Sequence, residues 1–151
     1  MFRNASTALL LLAAVGCGGA GSESAGDPDW SSVVQSANDV LFNQGQVDRV
    51  SEFFAASYGG GGGSERIREF VSDLRTAFPD LQVEVEILVS KDDRVTWVRR
   101  HRGTHQGEYR GVPATGREMT WRSMVVSRFE GGLIAQEWSV SELAGVLQAS
   151  Q

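Results

Sequence analysis

Two residues near the end of the chain, Glu137 and Ser139, are of a type and spacing that could serve acid–base chemistry. Side chains of a β-strand point alternately to its two faces, so this pair lies on one face of a predicted strand, about 7 Å apart. If that face lines a pocket, the Glu137 carboxylate is a candidate general base. The alternative is a solvated carboxylate, or an ion-pair partner of Arg122 or Arg128.

The chain has two histidines, and both are considered as acid–base groups. His105 lies at the end of a predicted strand, where it is either a second candidate base or an anchor for the loop that follows. His101 lies among arginines at positions 99, 100 and 102, a pattern that predicts a surface position. Two histidines without a cysteine cluster are not typical of a zinc site, and we expect no metal.

The single cysteine, Cys17, follows a short apolar run at 8–15. This pattern is typical of a secretory signal over 1–16, since a membrane span needs about 20 apolar residues. A small residue directly before a cysteine resembles the bacterial lipobox, which predicts cleavage before Cys17 and its acylation. An ordinary signal with an incidental cysteine is the alternative. We expect a flexible tether over 17–28 and a lipoprotein on the periplasmic side of the envelope, at the outer membrane.

Residues 29–151 are long enough for one domain with a hydrophobic core. The whole chain has a formal charge of -5 and no Lys/Arg patch, so nucleic acid is not an expected partner. A single cysteine also excludes an internal disulfide.

The order of periodic segments predicts the fold class. Apolar residues recur at helical spacing over 30–41, 47–54 and 64–78, and five glycines at 59–63 predict a flexible connector. The period then changes to two, and a short helix ends the chain. Four strands are predicted, over 82–89, 94–106, 118–130 and 133–140. The class is therefore α+β, with helices packed on one face of a curved antiparallel sheet.

Three strings carry a family resemblance: RGTHQGE at 102–108, GVPATGR at 111–117 and the hairpin FEGGLI at 129–134. Together they resemble the SnoaL-like polyketide cyclases, or ester cyclases, over nearly the whole domain. The resemblance implies the cone-shaped nuclear transport factor 2-like fold, in which the helices and the curved sheet enclose a pocket. It also implies chemistry without a cofactor, and a homodimer formed through the outer face of the sheet.

The resemblance further implies a catalytic position on the last strand. Members of the family close a ring by an intramolecular aldol reaction, using an acid/base Asp in a pattern like Glu-His-Trp-Asp. The string here is QEWS at 136–139, so Ser139 takes the Asp position and Glu137 the His position. A serine hydroxyl without an activating partner is too weak for proton abstraction. Glu137, His105 and Ser139 therefore remain as the candidate catalytic groups.

By the same resemblance, one face of the third strand looks toward the pocket. The expected pocket residues are Trp97, Trp121, Ser123, Val125, Ser127 and Ser139. The tryptophans could form a flat apolar wall for a planar ligand, or they could simply fill the core.

Three functions follow from these observations. The first is a cofactor-free cyclase or isomerase acting on a small apolar carbonyl compound. The second is an envelope-tethered module that binds an apolar ligand without turnover, which Ser139 and the predicted export favour. The third is a structural or interaction domain whose own side chains fill the pocket.

Overall fold

The computed structural model describes residues 29–60 and 62–151. The predicted signal over 1–16, the tether over 17–28 and the lipidation site at Cys17 lie outside the described residues. The helical elements are α1 (Ser31–Ala37), a π-helical continuation (Asn38–Asn43), two 3-10 segments (Val47–Glu52 and Tyr58–Gly60), α2 (Gly63–Ala77) and α3 (Leu143–Ala149). The strands are β1 (Gln82–Lys91), β2 (Arg94–Thr104), β3 (Glu118–Glu130) and β4 (Leu133–Ser141). Within the described part of the chain, no helix is both long and apolar enough to cross a bilayer.

The four strands form one antiparallel sheet in the order β1-β2-β3-β4, as expected for consecutive strands joined by short turns. This arrangement, with helices over one face, confirms the predicted α+β class. The predicted second strand was too long, because β2 ends at Thr104 rather than at Gln106. The amide groups of Gln106 and Gly107 donate instead to the carbonyl oxygen of Ala77, which turns the chain away from the sheet and onto the end of α2.

The core lies between the helices and the inner face of the sheet, because inward-facing side chains alternate along β2 and β3. The first helix departs from the predicted regular geometry, since its turns widen over Asn38–Asn43. Two consecutive residues of this wide segment, Leu41 and Phe42, are both buried. The Phe42 ring thereby reaches the inner face of the sheet.

One glycine of the run, Gly63, has a structural role beyond that of a flexible connector. Helix α2 begins at Gly63, one residue before the predicted Ser64, and Gly63 has a φ of +46°. A Cβ atom there would lie 2.1 Å from the carbonyl oxygen of Ala56. Only glycine fits this contact, which places the start of α2 directly beside the segment that carries Tyr58.

Candidate active site

The inner face of the sheet, the helices α2 and α3 and the loop after β2 enclose a cavity of about 720 Å³. This volume is within the range of pockets that hold small organic ligands. Apolar side chains from the helices and the loop form one wall: Ile67, Phe70, Leu74, Val112, Leu143 and Leu147. The sheet contributes a wall with several polar groups: Arg99, His101, Trp121, Ser123, Val125, Glu137, Ser139 and Ser141. Charged side chains from α2 and the loop also line the cavity: Arg66, Glu69, Asp73 and Arg110. This mixed lining suits a small organic molecule with both apolar and polar parts.

Strand register determines where the Glu137 carboxylate lies. Glu137 on β4 is opposite Ser127 on β3, and Ser139 is opposite Val125. The Glu137 side chain is half-buried, whereas Ser139 is an exposed residue of the cavity lining. Both candidates therefore face the cavity, and Glu137 is the more enclosed of the two.

Two hydroxyl groups orient the Glu137 carboxylate. Ser127 Oγ donates to its Oε1 at 2.7 Å, and the Tyr58 hydroxyl donates to its Oε2 at 3.2 Å. Ser127 Oγ in turn accepts a hydrogen bond from Trp97 Nε1 at 2.9 Å. Burial, and then the adjacent Glu137, raise the pKa of Tyr58, so its phenol remains a donor at neutral pH. The carboxylate is thus held in one orientation by groups from three parts of the chain.

Arg99 is the most unusual charged residue of the site. Its side chain is 7% exposed, and its guanidinium carbon lies 4.1 Å from the ring centre of Phe42 and 4.8 Å from that of Trp97. Burial lowers the pKa of Arg99 to about 10, while Glu137 and Tyr58 partly offset this effect, so the group remains a cation at neutral pH. Its Nε has no hydrogen-bond partner among the described residues.

His101 is a neutral group of the cavity wall, and the prediction of a surface position is wrong. It is 4% exposed, and its ring stacks on Trp121 with centroids 4.7 Å apart. Its Nδ1 lies 3.4 Å from the Trp121 carbonyl oxygen, which only accepts, so the ring proton is on Nδ1. Burial, and then the charge of Arg99, lower the pKa of His101 to about 3. Odd-numbered residues of β2 face inward, whereas Arg100 and Arg102 face solvent.

The structure places His105 outside the cavity lining. Its ring is fully buried and stacks on Phe78 with centroids 5.1 Å apart. Its main-chain amide donates to the Arg117 carbonyl oxygen, and its own carbonyl accepts from Gly116. These contacts are those of an anchor that closes the loop over 105–117.

Four of the predicted pocket residues, Trp121, Ser123, Val125 and Ser139, line the cavity. Trp97 and Ser127 do not, and this corrects their expected position. Both are completely buried behind the cavity wall, where they support Glu137 through hydrogen bonds. Trp97 is one of the largest fully buried side chains of the described residues, so it fills the core.

The proposed ion-pair partners of Glu137 are engaged elsewhere. Arg122 pairs with Glu142 at 2.7 Å, and Arg128 pairs with Glu130 at 3.5 Å. Both arginines point away from the cavity because they occupy the even-numbered, outer positions of β3.

Sequence reasoning missed Tyr58, Arg99 and Tyr109 as cavity residues. A usable signal existed for Arg99, because a charged residue follows Val95 and Trp97 at the same inward spacing. No comparable signal exists for Tyr58, which lies in an irregular segment 79 residues away from Glu137. Over residues 29–60 and 62–151, no three His, Cys, Asp or Glu side chains are grouped as metal ligands.

A curved antiparallel sheet folded over helices, with polar groups lining the cavity between them, defines a protein of the nuclear transport factor 2-like fold. The family model of the SnoaL-like polyketide cyclases matches residues 32–150. The chain therefore belongs to the SnoaL-like polyketide cyclase family, as its motifs predicted.

Solved structures show the same fold. A SnoaL-like polyketide cyclase from Agrobacterium tumefaciens is 23% identical, covers 80% of this chain and 97% of its own, and has a TM-score of 0.69. IdmH from Streptomyces antibioticus, provisionally described as a polyketide cyclase, is 24% identical, covers 82% of this chain and 98% of its own, and has a TM-score of 0.68. AclR from Streptomyces galilaeus, provisionally described as a hydroxylase, is 23% identical, covers 80% of this chain and 93% of its own, and has a TM-score of 0.65. Comparison with curated protein sequences gave no match. Because one fold can host different activities, the reaction must be argued from the site of this chain.

Proposed function

We propose that this protein is a cofactor-independent enzyme that transfers protons on a small, flat carbonyl compound, as a cyclase or an isomerase. The observation that carries the proposal is the Glu137 carboxylate, which faces the cavity and is oriented by Tyr58 and Ser127. In this family the catalytic group is an Asp at the position of Ser139. Glu137 lies on the same face of β4 and supplies the carboxylate that Ser139 lacks.

The chemistry requires one base and no redox partner. Glu137 removes a proton from the carbon beside the carbonyl group, and the electrons of that C–H bond form an enolate. In a cyclase, the enolate carbon then bonds to a second carbonyl carbon of the same molecule, and the new alkoxide takes the proton back from Glu137. In an isomerase, the proton returns to a different carbon. Either sequence restores the carboxylate at the end of the cycle.

The neighbouring groups of the site bind rather than transfer protons. The lowered pKa of His101 makes it a poor base, so we assign it a hydrogen-bonding role toward the substrate through Nε2. Tyr58 and Ser127 are positioning residues, because they act through the carboxylate of Glu137. Trp121 and Val125 provide apolar contact surface for the body of a flat substrate.

The test is hydrogen–deuterium exchange at the carbon beside the carbonyl group of 2-tetralone, a flat ketone, followed by NMR in D₂O. Wild-type protein is expected to accelerate exchange above buffer, and Glu137→Gln is expected to lose about 10²-fold or more of that acceleration. Ser139→Ala serves as the matched control on the same strand face, and it should retain most of the rate. Exchange that is equally fast with Glu137→Gln would exclude Glu137 as the base.

The alternative is a binding module without turnover, which Ser139 at the family's Asp position favours. The variant Ser139→Asp separates the two functions in the same assay. If the wild type gives no exchange above buffer and Ser139→Asp does, the chain is a lapsed cyclase that retains the cavity for binding. If the wild type is active and depends on Glu137, the enzyme is supported.

We also propose a homodimer through the outer face of the sheet. In the part of the chain that the structure describes, five large apolar side chains are exposed: Leu88, Val89, Met124, Trp138 and Val140. Met124 pairs in register with Val140, and Trp138 with Val126, so Met124, Trp138 and Val140 lie together on the outer face of β3 and β4. A second copy of the chain would cover this patch, which is otherwise costly to leave in water.

We propose, finally, that the domain acts at the bacterial envelope, attached through lipidated Cys17. The support is the signal-like pattern over 1–16 and the lipobox-like sequence before the cysteine. Globomycin, which blocks lipoprotein signal cleavage, should cause the precursor to accumulate, and Cys17→Ser should abolish acylation. Processing that is insensitive to globomycin would contradict the anchor.

A further inference from the structure

The buried guanidinium of Arg99 has no part in the proton transfer proposed for Glu137. We propose that Arg99 binds a carboxylate group of the ligand, which makes the ligand a flat, largely apolar organic acid and not a neutral compound. This inference names the substrate class for the proposed function and rests on the same cavity. It applies equally to the cargo of a binding module.

The first argument is the missing partner of a buried charge. The neighbouring arginines on the outer face are paired although they are exposed, Arg100 with Glu86 and Arg102 with Glu118. Arg99 is far more buried, yet among the described residues no carboxylate oxygen lies within 4.0 Å of its nitrogen atoms. Removing a cation from water is costly unless an anion or several acceptors compensate. The described residues therefore offset only part of the cost of burying the Arg99 cation.

The second argument is geometry. Phe42 and Trp97 lie 4.1 Å and 4.8 Å from the guanidinium carbon and hold the group in place. The side chain lines the cavity, and its Nε has no partner in the described part of the chain. A guanidinium presents parallel N–H donors whose spacing matches the two oxygens of a carboxylate. A ligand carboxylate in the cavity would supply the anion that this buried cation lacks.

The third argument is what surrounds the cation. His101 is neutral and adjacent, so it adds no competing charge, and Trp121 and Val125 offer apolar contact for a ring system. Arg66, Glu69, Asp73 and Arg110 also line the cavity, but Glu137 is the carboxylate whose attraction for Arg99 already offsets part of the burial cost. That carboxylate also repels a ligand anion, so the expected preference for an anion is moderate.

The test compares two ligands of equal shape, 2-naphthoate and its neutral amide, 2-naphthamide, by calorimetry on the purified protein. Neither probe has an acidic C–H beside a carbonyl, so binding is measured without turnover. We expect naphthoate to bind at least about tenfold more tightly than naphthamide, as for a hydrogen bond to a charged group. Arg99→Met should remove the preference, whereas Arg100→Met, the adjacent outward-facing arginine, should leave it unchanged.

Equal affinity for the two probes in the wild type would overturn the proposal, as would a preference that survives in Arg99→Met. Failure of both probes to bind up to their solubility limits would overturn it as well. If Arg99→Met does not fold by circular dichroism, the wild-type comparison still decides, together with Arg99→Lys. That variant keeps the charge but not the paired donors, so it should retain only part of the preference. Exchange of 2-tetralone without any preference for naphthoate would leave the proposed enzyme standing and reject the role of Arg99.

Discussion

The stability of this domain should depend on pH through His101, and the size of the effect follows from its surroundings. The His101 ring is buried against Trp121 and lies near the cation Arg99. Burial and the charge of Arg99 both disfavour a positive charge on this ring. The pKa of His101 is consequently about 3 in the folded protein, against 6.5 for an unperturbed histidine. Replacing it by Phe keeps an aromatic ring on Trp121 and removes the titration.

The sign follows from which state binds the proton first. As the pH falls, the unfolded chain takes up a proton on His101 near pH 6.5, whereas the folded chain does not until about pH 3. The unfolded state is therefore favoured progressively below pH 6.5. The free energy of unfolding should fall by about 2 kcal/mol between pH 7 and pH 5 from this group alone.

The assay is urea denaturation at pH 7, 6 and 5, followed by far-ultraviolet circular dichroism, for the wild type and His101→Phe. The other groups titrate alike in both proteins, so the difference in slope belongs to His101. The carboxyl groups of Asp80 and Glu142 have lowered pKa values, and their loss of stability comes at lower pH. The expected result is a fall of unfolding free energy that is about 2 kcal/mol smaller in the variant. An identical slope in the two proteins would refute the view that the folded state holds His101 neutral.

Three further predictions concern the start of α2, the outer face and the support of the base. Gly63→Ala should lower the free energy of unfolding by at least roughly 2 kcal/mol, because its Cβ would meet a main-chain carbonyl oxygen. Gly60→Ala is the control: it has open space around it and should cost about 1 kcal/mol in the same urea titration. Val140→Glu, at a position 79% exposed, should convert the proposed dimer to a monomer in light scattering, and a wild-type monomer would contradict the dimer. Ser127→Ala removes the 2.7 Å donor to Glu137 and should slow exchange of 2-tetralone about tenfold while leaving naphthamide affinity unchanged. A parallel loss of affinity would indicate a collapsed cavity instead.

Much of the fold was predictable from local pattern. The third strand was predicted over 118–130 and is Glu118–Glu130, and the long helix was predicted over 64–78 and is Gly63–Ala77. Alternation and helical spacing report which face of an element is buried, and that information is contained in neighbouring residues. The errors occur where a distant group intervenes, as at the end of β2, where the carbonyl of Ala77 captures two amide groups.

The candidate site was predictable only in part. Strand parity is a local property, so it correctly grouped Glu137 with Ser139 on one face of the last strand. The same parity applied to His101 would have turned it inward, but its three arginine neighbours suggested a surface position instead. The burial of an inward-facing polar residue depends on which distant elements pack over it, and the neighbouring sequence does not specify those elements.

By itself, the sequence determined most of the secondary structure, the α+β class, the family and the absence of the family's Asp from position 139, because each depends on short-range pattern or motif. Only the tertiary structure brought Tyr58 to Glu137 across 79 residues and placed Arg99 between two aromatic rings without an ion-pair partner in the described residues. Hydrogen bonds, desolvation and charge–charge interactions act through space, so these groups acquire their chemistry only when the helices close over the sheet.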